Sequence, residues 1–197
     1  MSNSMSRNVV LSAAISSLIL VTSGGRANGE LNLSPESELF ELDGMKLSQL
    51  TFNNGASGKA SYQPPRNWKY AGGKDELDLR PPNLSQANVK ITKVASQSFS
   101  LDDQGREELK QATLRSLPEG SQDIEVMSEE LDPLQIDGKH TYLVEASYLF
   151  FGEKFVCYSL ILDRKPEAMK FRLSCREKDY QELRAAFARS LYSWQNL

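Results

Sequence analysis

At 197 residues, with 40% apolar and 25% charged side chains, the chain has the size and composition of one globular domain with extensions. Its net charge of −3, with both signs interspersed, excludes two classes. There is no clustered basic face for nucleic acid and no polybasic segment for anionic lipid.

The N-terminal stretch 1–27 has the three parts of a secretory signal peptide. MSNSMSRN carries Arg7, an uncharged apolar run follows from Val9 to Val21, and a small polar stretch comes next. Gly25 and Ala27 are the small residues a signal peptidase needs, so cleavage is expected near Ala27. The apolar run is shorter than the ~20 residues of a membrane span, and retention as an anchor is the alternative. No cysteine follows the run to take a lipid. The expectation is an exported protein, periplasmic or secreted, with no stable membrane insertion after cleavage.

Residues 28–37 lack any hydrophobic period and read as a linker. A single domain is expected over 38–197. Strands are predicted on each side of Asp43-Gly44, with one short extended piece ended by Pro64-Pro65, another beginning at Trp68–Tyr70, and an alternation at Leu77 and Leu79 that Pro81-Pro82 stops. Ala87–Ala95 alternates apolar and polar residues and reads as a strand. A helix is predicted over Asp103–Leu117, with Leu109, Ala112 and Leu117 near one face and Pro118 ending it. Ile124–Leu131 reads as another strand. A hairpin follows about a Gly152-Glu153 turn, then a third strand from Met169 to Cys175. Tyr180, Leu183, Ala186, Phe187, Leu191 and Trp194 mark a final amphipathic helix, with Asp179 and Glu182 spaced as a capping box.

Cys157 and Cys175 are the only cysteines. A register setting Tyr148 against Cys157, and Cys157 against Cys175, gathers the apolar residues of all three strands on one face. An exported compartment favours oxidation, so a Cys157–Cys175 disulfide is expected, with two inert buried thiols as the alternative. No Cys-x-x-Cys or histidine cluster supports a metal or redox role. The lone His140 follows a turn, and no nucleophile motif accompanies it. Gly55–Lys59 is too short for a phosphate loop. The acidic groups at Asp75-Glu76, Asp102-Asp103 and Glu129-Glu130 match no calcium loop. Lys170, Arg172 and Arg176 share the second face of the last strand, and with Trp68 they form a possible interaction surface, a solvated or edge-protecting stripe being the plainer reading.

Tyr62-Gln63-Pro64-Pro65-Arg66-Asn67-Trp68, the helix near Glu107–Leu117, Ile136-Asp137-Gly138 before the hairpin and a last helix ending near Arg189-Ser190-Leu191 form a recognisable set. This set resembles the PsbP-like proteins, which include the nuclear Ran-binding Mog proteins and small exported bacterial proteins. Asn67 stands where that pattern has Gly, and Asn tolerates positive φ better than most residues. The resemblance implies an α+β fold, an antiparallel sheet flanked by helices in an α/β/α sandwich. It implies a binding or assembly role, no catalytic set and no cofactor. The expected function is that of a non-enzymatic binding or assembly factor of the cell envelope, with an unidentified envelope protein as partner. A small-ligand or divalent-metal binding protein is the alternative, and a hydrolase built on His140 a more distant one.

Overall fold

The computed structural model describes residues 30–42, 44–95, 100–164 and 167–197. The signal-peptide reading of 1–27 lies outside those residues. Ten strands and two helices are present among them: β1 (Glu36–Leu42), β2 (Met45–Asn53), β3 (Lys59–Tyr62), β4 (Lys69–Gly72), β5 (Glu76–Arg80), β6 (Asn88–Ala95), α1 (Asp103–Arg115), β7 (Gln122–Leu131), β8 (Thr141–Phe150), β9 (Glu153–Leu162), β10 (Glu167–Arg176) and α2 (Glu177–Leu191). β1-β2-β3 form a small sheet, and the rest form a seven-stranded sheet ordered β4-β5-β6-β10-β9-β8-β7. All pairings are antiparallel.

Three layers result. α1 lies on one face of the large sheet, while α2 and the small sheet cover the other. The main core fills the second interface, where Val89, Ile91, Tyr158, Leu160, Phe171 and Leu173 meet Leu183, Phe187 and Leu191. Trp194, just past α2, stacks on Tyr62 at 4.7 Å and Phe52 at 5.2 Å and meets Phe171 edge-on. A smaller cluster of Leu117, Tyr148 and Cys157 lies under α1.

Several expectations are corrected here. The segment read as a linker is partly core: Leu31 and Leu33 are fully buried, and the Leu33 amide donates to the Lys74 carbonyl at 3.0 Å. Gly72 makes that approach possible, because a Cβ there would stand 2.5 Å from the Leu33 carbonyl oxygen. α1 buries Gly105 and Thr113, with Leu117 just beyond its end, and Ala112 is exposed. α2 starts at Glu177 with no side-chain cap, so Asp179 and Glu182 lie within it and form no capping box.

The first hairpin turns on Phe151-Gly152, not on Gly152-Glu153. Both residues have positive φ (48° and 77°), as a type I′ turn requires. Tyr148 faces Phe155, and Ala146 faces Cys157. The shift moves each partner by two residues, so the faces survive. The second hairpin differs by one residue: Ser174 faces Cys157, and Cys175 faces Val156. A one-residue slip turns every side chain of the last strand to the other face. Cys157 points toward α1 and Cys175 toward the main core. The expected disulfide is not formed, and both cysteines are buried free thiols. Apolar patterning could not fix this register, because β8 and β9 are buried on both faces over most of their length.

Candidate functional site

Two connections rich in proline converge over the C-terminal half of α2. The first joins β3 to β4 and holds Gln63–Trp68. The second joins β5 to β6 and holds Pro81–Ala87. Between them and α2 runs an open groove of about 540 Å³. Pro64 and Pro65 form one wall, and Pro81, Pro82 and Leu84 the other. The floor is Trp68, Leu183 and Ala186. Proline fixes φ near −65°, so these walls lose little conformational freedom when something docks.

The sequence folds this way for local reasons. Asn67 has a φ of 65°, the left-handed conformation expected of an Asn in a glycine position, and it turns the chain so that Trp68 enters the core. The Trp68 amide donates to the Pro65 carbonyl at 3.2 Å, closing the turn. The Trp68 ring is 8% exposed and stacks on Phe187 of α2. The Gln63 amide donates to the Ser193 hydroxyl at 2.8 Å, and that hydroxyl donates to the Ser190 carbonyl at 2.6 Å. The loop is thereby tied to the end of the helix.

Along α2 the lining runs Glu182, Leu183, Ala186, Arg189 and Ser190, with Ser193 beyond, so two charged residues, Glu182 and Arg189, flank its apolar stretch. Seven residues of helix separate them, about 10 Å at 1.5 Å per residue. Arg66 lines the opposite side. Two further hollows border the same connections, about 780 Å³ beside Pro81–Val89 and about 210 Å³ between β2 and Gln63–Trp68.

Of the residues expected to act in binding, only Trp68 lies on this groove. Lys170 and Arg172 turn inward beneath α1. Arg172 Nη1 donates to the Ser116 carbonyl at 2.9 Å and to its hydroxyl at 3.2 Å, and Lys170 Nζ reaches that hydroxyl at 3.5 Å. They satisfy the end of α1, where cations complement the helix dipole. β10 is also a central strand, so these residues guard no edge. Burial, with Arg172 alongside, pushes the Lys170 ammonium below its ordinary range. Arg176 pairs with Glu153 at 2.7 Å. His140 Nδ1 meets Asp132 at 2.8 Å, and the same carboxylate accepts from the Thr141 amide at 2.8 Å. This arrangement clamps the 132–141 turn. Among the described residues, no group of three or more His, Cys, Asp or Glu could hold a metal. Gly55–Ser57 is an exposed 3₁₀ turn.

Two polar clusters, one around buried Glu145 and one around the Lys93 side chain, were not among the expected site residues. Glu145, 7% exposed, accepts from the Tyr180 hydroxyl and from Arg184 Nε at 2.5 Å. Lys93 is buried to its tip beside Asp75 at 2.9 Å, Glu30 at 3.2 Å and Glu167 at 3.7 Å. Lys93 was legible as a charge on the apolar face of an alternating strand. Glu145 sits in a strand buried on both sides, where no pattern singles it out.

No family model and no curated protein matches the chain. Solved structures do. The cyanobacterial PsbP protein of Synechocystis sp. PCC 6803 aligns with 89% of this chain and 98% of its own, at 15% identity and a TM-score of 0.52. A Pseudomonas aeruginosa protein of unknown function covers 80% of this chain and 95% of its own, at 14% identity and a TM-score of 0.45. Mycobacterium tuberculosis LpqN, involved in cell envelope biogenesis, covers 80% and 87%, at 10% identity and a TM-score of 0.45. Among the described residues, no helix is long and apolar enough to cross a membrane. Over most of its length, and over nearly the whole of the Synechocystis protein, the chain has the PsbP-like α+β fold.

Proposed function

We propose that the chain is an exported, non-enzymatic protein that binds another protein of the cell envelope through the Trp68 groove, as an adaptor or assembly factor. The observation that carries this reading is the groove itself. It is concave, and charged residues flank the apolar stretch of its α2 lining, the usual anatomy of a binding surface. Its walls are built for shape and not for chemistry. Its titratable members are two arginines and one glutamate, and Ser190 and Ser193 are spent on backbone hydrogen bonds. Export is supported by the N-terminal pattern of charge, apolar run and small residues.

A photoreactive residue at Ala186, on the groove floor, tests this in the native cell. One recurrent envelope protein crosslinked from Ala186, and not from the exposed Tyr192, is the expected result. Equal or absent crosslinking from the two positions removes the proposal. The groove volume also suits a second reading, because small-molecule sites span roughly 300–1,000 Å³. Native mass spectrometry of the purified chain would then show a bound mass that Ala186→Trp abolishes.

A further inference from the structure

β7 ends the large sheet on the side opposite β4, and therefore opposite the groove. Nine of its ten residues are exposed, and its outer side carries no strand among the described residues. Ile124, Val126, Met127 and Leu131 are 39–48% exposed, an unusual apolar load for an open edge. Bulges interrupt the pairing with β8 at Gln122/Glu125 and Val126/Ser128. Past them, Ser128–Leu131 runs in unbroken register against Glu145–Tyr142. At the other end, the hairpin tip adds Phe151, 90% exposed, one residue beyond the closing pair of the β8–β9 turn.

Charge decides what could pair with this edge. Asp123, Glu125, Glu129 and Glu130 fall within β7, with no lysine or arginine. Glu129 is neutralised by Lys110 at 3.0 Å. Glu125 and Glu130 make no ion pair among the described residues, and both stand on the α2 side, opposite Ser147 and Leu143. Val126 and Leu131 stand on the α1 side, opposite Ala146 and Tyr142. A second copy of the chain is a poor occupant. The strand carries four acidic residues and no basic one, so two copies would bring only like charges together along the seam.

We propose that β7 is a docking edge for an extended segment of a partner protein in which apolar residues alternate with lysine or arginine. The apolar residues continue the Val126–Leu131 side, and the basic ones lie beside Glu125 and Glu130. Backbone pairing supplies affinity, and the alternate side chains supply selection. This surface is separate from the Trp68 groove and stands without it.

The test uses two labelled peptides, Val-Lys-Val-Lys-Val-Lys-Val and its glutamate counterpart, titrated by fluorescence anisotropy against the full chain. The lysine peptide should bind at least about tenfold tighter, weakening as salt rises. Glu125→Lys/Glu130→Lys should invert the preference, and since both sites are exposed the circular dichroism spectrum should be unchanged. Hydrogen exchange should slow in β7 when the lysine peptide is added. Equal binding of the two peptides, no binding at about 1 mM, an uninverted preference in the double variant, or protection outside β7 would each overturn the proposal.

Discussion

Phe151 holds a left-handed backbone at the first position of a type I′ turn, where Asn, Asp or Gly is preferred. Its ring is 90% exposed, so little packing offsets the strain. Phe151→Asn should therefore stabilise the chain by about 1 kcal/mol, raising Tm by roughly 2–4 °C for a domain of this size. Calorimetry decides it, and a fall in Tm would mean that the Phe150–Phe151 ring contact at 4.4 Å outweighs the backbone cost. This turn also shows how far single residues can be read from sequence. Gly152 marked the turn correctly, but nothing told its first residue from its second, because an aromatic at φ > 0 is a rare choice. The cysteines make a second residue-scale prediction. Burial pushes the Cys157 thiol up despite the nearby Arg172, and pushes Cys175 up to about 12. Only thiolate attacks a disulfide reagent. Ellman's reagent at pH 8 should give almost no colour with the native chain and two thiols after denaturation. Rapid reaction of the native protein would show that the β9–β10 layer opens.

The link between β10 and α1 is the clearest element-scale consequence. α1 is capped at its start by Asp102, whose side chain accepts from the Gly105 amide at 2.8 Å. Its far end is held across the interface by Arg172. A charge-assisted hydrogen bond of this kind contributes about 1.5–3 kcal/mol. Arg172→Met should lower stability in urea unfolding by about that amount, and Arg172→Lys by less. A Met variant as stable as the parent would return Arg172 to the role of surface residue. The elements themselves were largely legible. Gly44, Pro64-Pro65, Pro81-Pro82, Pro118 and Gly152 punctuate the chain near element ends, and every strand and helix lies close to where those signals put it. What could not be read was β10's register. Its own alternation is clear, with Met169, Phe171, Leu173 and Cys175 on one face and Lys170, Arg172 and Ser174 on the other. Its neighbour β9 is apolar on both faces, so either register satisfies it. Only the helices on opposite sides of the sheet choose between them, and that choice is made by tertiary packing.

For the whole molecule, the two buried faces of the large sheet divide the work. The face under α1 is small and partly polar, with Thr113 and Ser159 in contact at 3.4 Å and Arg172 at its margin. The face under α2 and the small sheet holds most of the apolar core. The groove belongs to this second layer, and its position follows from the C-terminal tail. Trp194 stacks between Phe52 and Tyr62 of the small sheet and touches Phe171 of the large one. Ser61 and Gln195 exchange backbone hydrogen bonds at 3.1 Å in each direction. The Tyr62 hydroxyl meets Ser190 of α2 at 2.8 Å. The motif that begins at Tyr62 was legible as a unit in the sequence, and Asn67 has the positive φ expected of it. Its companion loop, Pro81–Ala87, was read only as a strand terminator, because a groove between two loops distant in sequence leaves no local pattern. If Trp194 joins both sheets into one cooperative unit, Trp194→Ala should cost about 3–5 kcal/mol, within the range for deleting a buried aromatic. The midpoint should fall by roughly 6–20 °C while unfolding remains a single transition by both calorimetry and circular dichroism. The groove should weaken in step, since Gln63 and Ser193 are held by the same tail. Two resolved transitions would instead show that β1–β3 fold as a separable layer, and the groove would then be a junction between independent parts able to open when a partner binds.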